Sequence, residues 1–236
     1  MDRDYAVAMK RYLLRFGQVA SALEDNGRFT CQWDDRHPCL TDAKRETPFD
    51  AHYIYHTAWA ARILAQTRPA SHVDIASSLY FVSIASAFVP ITFYDYRPAN
   101  LSLCNVECKK ADIINLPFKD KSILSLSCMH VVEHIGLERY GDTFDPQGDL
   151  KAMKELARVL HPDGHLLFVV PVGGCARIQY NAHRIYKYRD VLSNFSGLQL
   201  EEFSLVTDDS QFIANASEAD ADLQKYGCGC FLFRAG

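Results

Sequence analysis

The stretch ADIINLPFKDKSILSLSCMHVVEHIG, residues 111–136, decides the fold. Its middle, SILSLSCMH (122–130), is apolar and small enough to be one buried strand. Downstream, QGDLKAMKELARVLH (147–161) sets Leu150, Met153, Leu156, Ala157 and Leu160 on one face, the pattern of an amphipathic helix. Pro162 and Gly164 are expected to end that helix, and GHLLFVVPV (164–172) reads as the next strand. A strand, a helix and a strand at this spacing form a right-handed crossover between parallel neighbours.

The same alternation extends both ways. SHVDIA (71–76) reads as a short buried strand followed by an apolar helix to Phe88. ITFYDYR (91–97) is a strand and VECKKADI (106–113) a weaker one. A helix is expected near 184–196. LQLEEFSLV (198–206) and CGCFLFR (228–234) close the chain as an antiparallel pair at one edge, with an irregular stretch between them. Upstream, Tyr5, Met9, Tyr12, Leu13, Phe16, Val19, Ala20 and Leu23 recur at helical spacing over 4–24. Residues 25–48 read as irregular, and a second helix is expected from about 49 to 66. The class is α/β: a Rossmann-like, mostly parallel sheet with an antiparallel edge strand. Residues 1–70 are expected to form a helical extension or lid packed on a core of residues 71–236.

Bulk properties limit the partners. The 236 residues suffice for one domain with a decorated edge. A net charge of −4 argues against a broad phosphate-binding face, so no nucleic-acid partner is expected. No apolar run approaches the roughly 20 residues of a membrane span. The start, MDRDYAVAMKRYLLRF, is charged and amphipathic, unlike a signal peptide, so a cytoplasmic location is expected. Eight irregularly spaced cysteines then read as reduced, mostly buried thiols. Nothing in the pattern specifies an oligomeric state.

Ligands of open α/β sheets bind beyond the carboxyl ends of the strands. Asp74, Asp95 and Asp112 stand at the ends of three successive strands. A carboxylate after the second strand can accept from ribose hydroxyls, and one after the third from an adenine amino group. Solvated loop aspartates that cap turns are the plainer alternative for each one singly.

The run 111–136, followed by LKAMKELARVLHPDGHLLFVVPV (150–172), resembles the class I S-adenosylmethionine-dependent methyltransferases. In that pattern an adenine-contacting Asp precedes Leu-Pro-Phe, a strand leads to Glu-His-Ile, and Arg-Val-Leu-x-Pro-x-Gly precedes the fifth strand. FDAHYIYHTAWAARIL, HVDIASSLYFVSIASAF, IGLERYGD, QYNAHRIY and YGCGCF are similar to an uncharacterised methyltransferase-like family with members in polysaccharide-biosynthesis settings. The resemblance implies S-adenosylmethionine as cofactor, held by Asp74, Ala76, Ser77, Ser78, Asp95, Tyr96, Asp112 and Ile113. The chain departs from the family at the first turn. Where the family has Asp-x-Gly-x-Gly, this sequence has Asp74-Ile75-Ala76-Ser77-Ser78, and glycine is what permits positive φ there.

His130-Val131-Val132-Glu133-His134 matches the string H-x-x-E-H of inverzincin proteases, but at a strand-to-helix turn rather than inside a helix. It is closer to the Glu-x-x-Glu-His of some class I O-methyltransferases, where a further His after the fifth strand completes a divalent-metal site. The likeness implies His130, Glu133, His134 and His183 as catalytic residues, with or without a metal. His130 in place of the first Glu favours Mn²⁺, Fe²⁺ or Zn²⁺ over Mg²⁺. Capping and packing of the turn is the alternative. His52 and His56 share a helix face at i, i+4, a spacing that serves ligation or, as expected here, packing. Arg139, Tyr140, Asn181 and Arg184 are candidates for binding sugar hydroxyls or a phosphate.

The expected function is methyl transfer from S-adenosylmethionine to a hydroxyl of a sugar or glycan precursor. The rivals are a non-catalytic binding protein that kept the fold, and a metal-dependent enzyme modifying a sugar nucleotide.

Overall fold

The computed structural model describes residues 3–24 and 29–235. The chain forms two compact units, residues 1–49 and 50–236. In the first, α1 spans Arg3–Glu24 and a 3₁₀ turn covers Trp33–Asp35. Phe16 meets the Trp33 ring edge-on at 5.0 Å, and the Arg36 guanidinium lies 4.3 Å from that ring's centroid.

The second unit opens with α2 (Ala51–Thr67), whose N-cap Asp50 accepts the Tyr53 N–H at 3.2 Å. Then follow β1 (His72–Ile75), α3 (Leu79–Ala85), β2 (Ile91–Asp95), β3 (Val106–Lys110) and β4 (Ile123–Met129). After a 3₁₀ turn at Val132–His134 come α4 (Gly148–Val159), β5 (Leu160–Val172), β6 (Arg177–Gln179), β7 (His183–Ile185) and α5 (Tyr188–Asn194). The chain closes with β8 (Leu198–Val206), β9 (Phe212–Ile213), α6 (Glu218–Asp222) and β10 (Gly227–Ala235).

Eight strands form one sheet in the order β3-β2-β1-β4-β5-β10-β8-β9, and β6 pairs with β7 in a separate hairpin. Strands β3 through β5 run parallel, and β10 is antiparallel to both β5 and β8. Both faces are covered, which explains the near-continuous apolar run of β5. Leu166, Phe168 and Val170 enter one core layer, Leu167 and Val169 the other.

The expected fold class holds, with local differences. Helix α2 belongs to the second unit rather than to an extension ending at residue 70. Trp59, Ala60, Ile63 and Leu64 join the core layer of Phe81 and Cys230, and Trp59 Nε1 donates to Glu202 at 2.7 Å. Strand β5 begins at Leu160, directly after α4, so Pro162 and Gly164 lie within it. The pairing moves from Ile123↔Leu160 to Ser125↔His165, a bulge that absorbs both residues. The helix expected at 184–196 starts only at Tyr188, because 177–185 folds as the hairpin. Strand β10 inserts between β5 and β8, and the stretch before it holds β9 and α6. All eight cysteines are free, but only Cys128, Cys228 and Cys230 are buried, fewer than expected. Among the described residues, no helix is long and apolar enough to cross a membrane.

Candidate functional site

A cavity of about 630 Å³ lies beyond the carboxyl ends of the parallel strands. The turn after β1 forms one wall. Ala76 stands there at φ 54, in the left-handed region that glycine adopts freely. Its N–H donates to Tyr94 O at 2.7 Å. The turn therefore keeps the glycine conformation at the strain cost of one alanine, about 1 kcal/mol. Ser77 Oγ accepts the Met129 N–H at 3.0 Å and ties the turn to the end of β4.

Asp74 does not line the cavity. It is fully buried beneath the turn, where Oδ1 accepts the Ser77 N–H at 3.0 Å and Oδ2 accepts the Ser127 hydroxyl. Burial raises its pKa to about 6, against the opposing pull of those hydrogen bonds. The chain of polar groups continues. His72 Nε2 meets Ser127 Oγ at 2.8 Å, and His72 Nδ1 meets Ser125 Oγ at 2.7 Å. With Ser127 donating to Asp74, it accepts from His72 Nε2–H, and His72 Nδ1 accepts from Ser125. Asp74 is thus a positioning residue for the turn.

Asp95 and Asp112 do reach the cavity, together with Ala76, Ser77, Ser78, Tyr96 and Ile113. Each carboxylate is oriented by its own loop. Asp95 Oδ1 accepts the Arg97 N–H at 2.7 Å, and Asp112 Oδ1 the Ile114 N–H at 3.1 Å.

The far wall comes from the segment after β4. His130, at φ 57, and His134 line it with Tyr140. Glu133 is buried behind them. His130 Nδ1 donates to Glu133 Oε1 at 2.8 Å, and its Nε2 lies 3.4 Å from Cys228 Sγ. Burial lowers the His130 pKa to about 4 and raises that of Glu133 to about 7. The contact is therefore a hydrogen bond from a neutral imidazole rather than an ion pair at neutral pH. Glu133 Oε2 is buried without a partner. His134 Nδ1 donates to Ala182 O at 2.7 Å, which leaves Nε2 as the acceptor, and burial lowers its pKa.

The four residues read together as a metal set do not converge. His130 Nδ1 is taken by Glu133, His134 Nδ1 by Ala182, and His183 stacks on Tyr226 at 4.9 Å, its ring 6.2 Å from that of His134. Among the described residues, the group whose ligand atoms do gather is His52, His130 and Cys228. The substrate candidates separate in the same way. Tyr140 lines the cavity, and Asn181 is exposed outside it. Arg139 Nη1 donates to Ala182 O at 2.8 Å. Arg184 is buried and structural: it donates to Ile135 O at 2.7 Å and faces Asp149, which also accepts the Tyr186 hydroxyl.

Tyr53 from α2 also lines the cavity, and several further lining residues escaped the sequence reading: Arg97 after β2, and Asp142, Thr143 and Asp145 from the loop before α4. The loop is folded back by Gly136, whose N–H donates to Asp142 Oδ2 at 2.6 Å and whose carbonyl accepts from Asp145 N at 3.1 Å. Gly136 has φ 78, and a Cβ there would lie 2.0 Å from Asp145 O.

Comparison with known proteins agrees with this architecture. Residues 55–168 match a methyltransferase domain family, and residues 119–225 match a family of Caenorhabditis proteins of unknown function, DUF268. No curated protein matches the sequence. The fold is similar to the 1,6-didemethyltoxoflavin-N1-methyltransferase of Burkholderia thailandensis, solved with S-adenosylhomocysteine, at 10% identity and TM-score 0.52, covering 97% of this chain and 90% of that one. It is also similar to a protein of Galdieria sulphuraria provisionally described as a sarcosine dimethylglycine methyltransferase, at 17% identity, TM-score 0.52, and coverage of 77% and 85%. The cyclase SpnF matches at 12% identity, TM-score 0.52, and coverage of 76% and 80%, a reminder that this fold hosts other chemistry. Fold and domain match together give this chain the architecture of the class I methyltransferases.

Proposed function

We propose that this chain transfers a methyl group from S-adenosylmethionine to a hydroxyl of a small polyhydroxylated acceptor, a sugar or glycan precursor. The observation that carries this reading is the placement of His134 in the wall of the cavity whose opposite side is the β1 turn, Asp95 and Asp112. The cavity suits the cofactor. Its volume of about 630 Å³ is in the range of small-molecule sites. Ala76 holds the backbone where close approach needs it. Asp95 and Asp112 present carboxylates suited to ribose hydroxyls and to an adenine amino group. Bound there, S-adenosylmethionine supplies an electrophilic methyl group.

The chain's own residues supply alignment and a proton acceptor. His134 is neutral at pH 7, with its tautomer fixed by Ala182, so Nε2 accepts the hydroxyl proton as the oxygen attacks in line. Glu133, 3.8 Å from that nitrogen, stabilises the imidazolium that results. Arg97, Tyr140, Asp142, Thr143 and Asp145 supply donors and acceptors for a polyol. Support for a sugar is this polar lining together with the resemblance to polysaccharide-associated proteins.

Calorimetry with S-adenosylhomocysteine tests the first half. A Kd on the order of 1–100 μM is expected, weakened at least tenfold in Asp95→Ala. Labelled methyl transfer to a panel of sugars, sugar nucleotides and amines tests the second. No binding at millimolar ligand removes the enzyme reading and leaves a methyltransferase fold kept for another purpose.

A further inference from the structure

The geometry points to a zinc site formed by His52 of α2, His130 after β4 and Cys228 of β10. One ligand atom from each lies within 4.8 Å of the other two. The His130 Nε2 to Cys228 Sγ distance is 3.4 Å. Zn–N and Zn–S bonds of about 2.0 and 2.3 Å at tetrahedral angles give an N···S edge of about 3.6 Å. The spacing already resembles that of ligands around an ion. It is also within reach of a thiol–imidazole hydrogen bond, so the remaining features decide.

The carboxylate beside His130 favours the ion. His130 gives Nδ1 to the Glu133 carboxylate at 2.8 Å, the carboxylate–histidine–metal arrangement that fixes a ligand's tautomer. That leaves Nε2 of His130 for coordination, and the His52 ring packs 4.8 Å from the ring of Tyr226. The rings of His52 and His130 lie 5.6 Å apart and within 13° of parallel. Charge agrees as well. Glu133 is 1% exposed and its Oε2 has no partner, a costly state for a carboxylate that a bound cation would relieve. A thiolate at Cys228 and the carboxylate at Glu133 together balance the two charges of Zn²⁺. Two imidazoles and a thiolate select zinc over Mg²⁺ or Ca²⁺. Three protein ligands leave a fourth position for a water or an acceptor oxygen. Binding breaks the Cys228 S–H bond, forms Zn–S, and releases the proton to solvent. Because His130 also lines the cavity, the ion stands at the acceptor side, yet this inference does not rest on methyl transfer.

The test uses the full chain, kept reduced and stripped by chelator, and the metal alone. Calorimetric titration with Zn²⁺ is expected to give one ion per chain, and Co²⁺ to give a thiolate charge-transfer band. Cys228→Ser is expected to abolish the band, and both Cys228→Ser and His52→Ala to weaken zinc by about 100-fold or more. Cys230→Ser, with its sulfur 4.0 Å from that of Cys228, is expected to retain both signals. His52 is partly exposed on a helix, so its alanine variant stays informative if Cys228→Ser misfolds. Absence of stoichiometric zinc, absence of the cobalt band, or wild-type affinity in His52→Ala overturns the assignment. A band that survives in folded Cys228→Ser assigns the metal to one of the exposed thiols and overturns it equally.

Discussion

Replacing Asp74 by asparagine is expected to stabilise the protein, by an amount that depends on pH. The carboxyl is fully buried, and its pKa stands at about 6 in the folded chain against 3.8 in the unfolded one. An acid with a higher folded pKa holds its proton more tightly when folded, so this group weakens folding as pH climbs from about 4 to about 6. One pKa unit is worth about 1.4 kcal/mol. Integrating between the two pKa values gives a cost of about 1 kcal/mol at pH 4.5 and about 3 kcal/mol at pH 7. Asparagine mimics the protonated acid: its oxygen accepts from Ser77 N–H and its amide donates to Ser127. Ser127 then donates to His72 Nε2, and His72 Nδ1–H to Ser125, so the whole chain of hydrogen bonds reverses without losing a member. Urea unfolding at both pH values measures the difference. Asp74→Asn is expected to exceed the wild type by about 1 kcal/mol at pH 4.5 and about 3 kcal/mol at pH 7. A variant less stable than wild type at pH 7, or a difference that does not change with pH, would refute the account of Asp74 as a strained positioning charge.

Three further outcomes are expected. His72, with burial holding its pKa down to about 3 against 6.5 unfolded, resists protonation when folded. Its contribution is intact above pH 6.5 and falls by about 2 kcal/mol between pH 7 and pH 5. In His72→Gln the unfolding free energy should lose that part of its acid slope, whatever its absolute value. Ala76→Gly should change stability by no more than about 1 kcal/mol and leave S-adenosylhomocysteine affinity intact, whereas Ala76→Val should cost about 2 kcal/mol, because a β-branched residue resists φ 54. Thermal unfolding and calorimetry decide both. His134→Gln should bind S-adenosylhomocysteine normally and methylate the acceptor found in the panel about 100- to 10,000-fold more slowly. Equal loss of ligand binding would make His134 structural.

The strand-end side of the cavity was legible because it is built from successive parallel strands. Once SILSLSCMH and HVDIA are strands of one parallel sheet, the residues after them face one crevice, and Asp95 and Asp112 follow. Two finer points were hidden. Asp74 shares the strand-end pattern but points beneath the turn, and sequence does not distinguish a carboxylate lining a cavity from one supporting it. The missing glycines suggested a lost turn, yet Ala76 reaches positive φ because its N–H is held by Tyr94 O on the neighbouring strand. Tertiary hydrogen bonding outweighs a local preference of about 1 kcal/mol. The same competition explains Pro162 and Gly164: both are helix-ending signals, yet here they occupy a bulge of β5.

The wall after β4 was less legible for a topological reason. His130, Glu133 and His134 come from one short turn, and their spacing was visible. What each can do depends on residues brought from elsewhere. Cys228 lies on a strand that inserts between β5 and β8, 98 positions after His130. Ala182, which fixes the His134 tautomer, sits in the hairpin loop between β6 and β7, 48 positions on. His183 and Arg184 were read as reaching into the site, but the hairpin turns them toward Tyr226 and Asp149. A motif thus specifies which side chains are close, while the non-local partners decide which nitrogen carries a proton and which is free. That is why the string H-x-x-E-H pointed toward a metal, yet the ligand atoms that gather include only one residue of that string, joined by one histidine from α2 and one cysteine from β10.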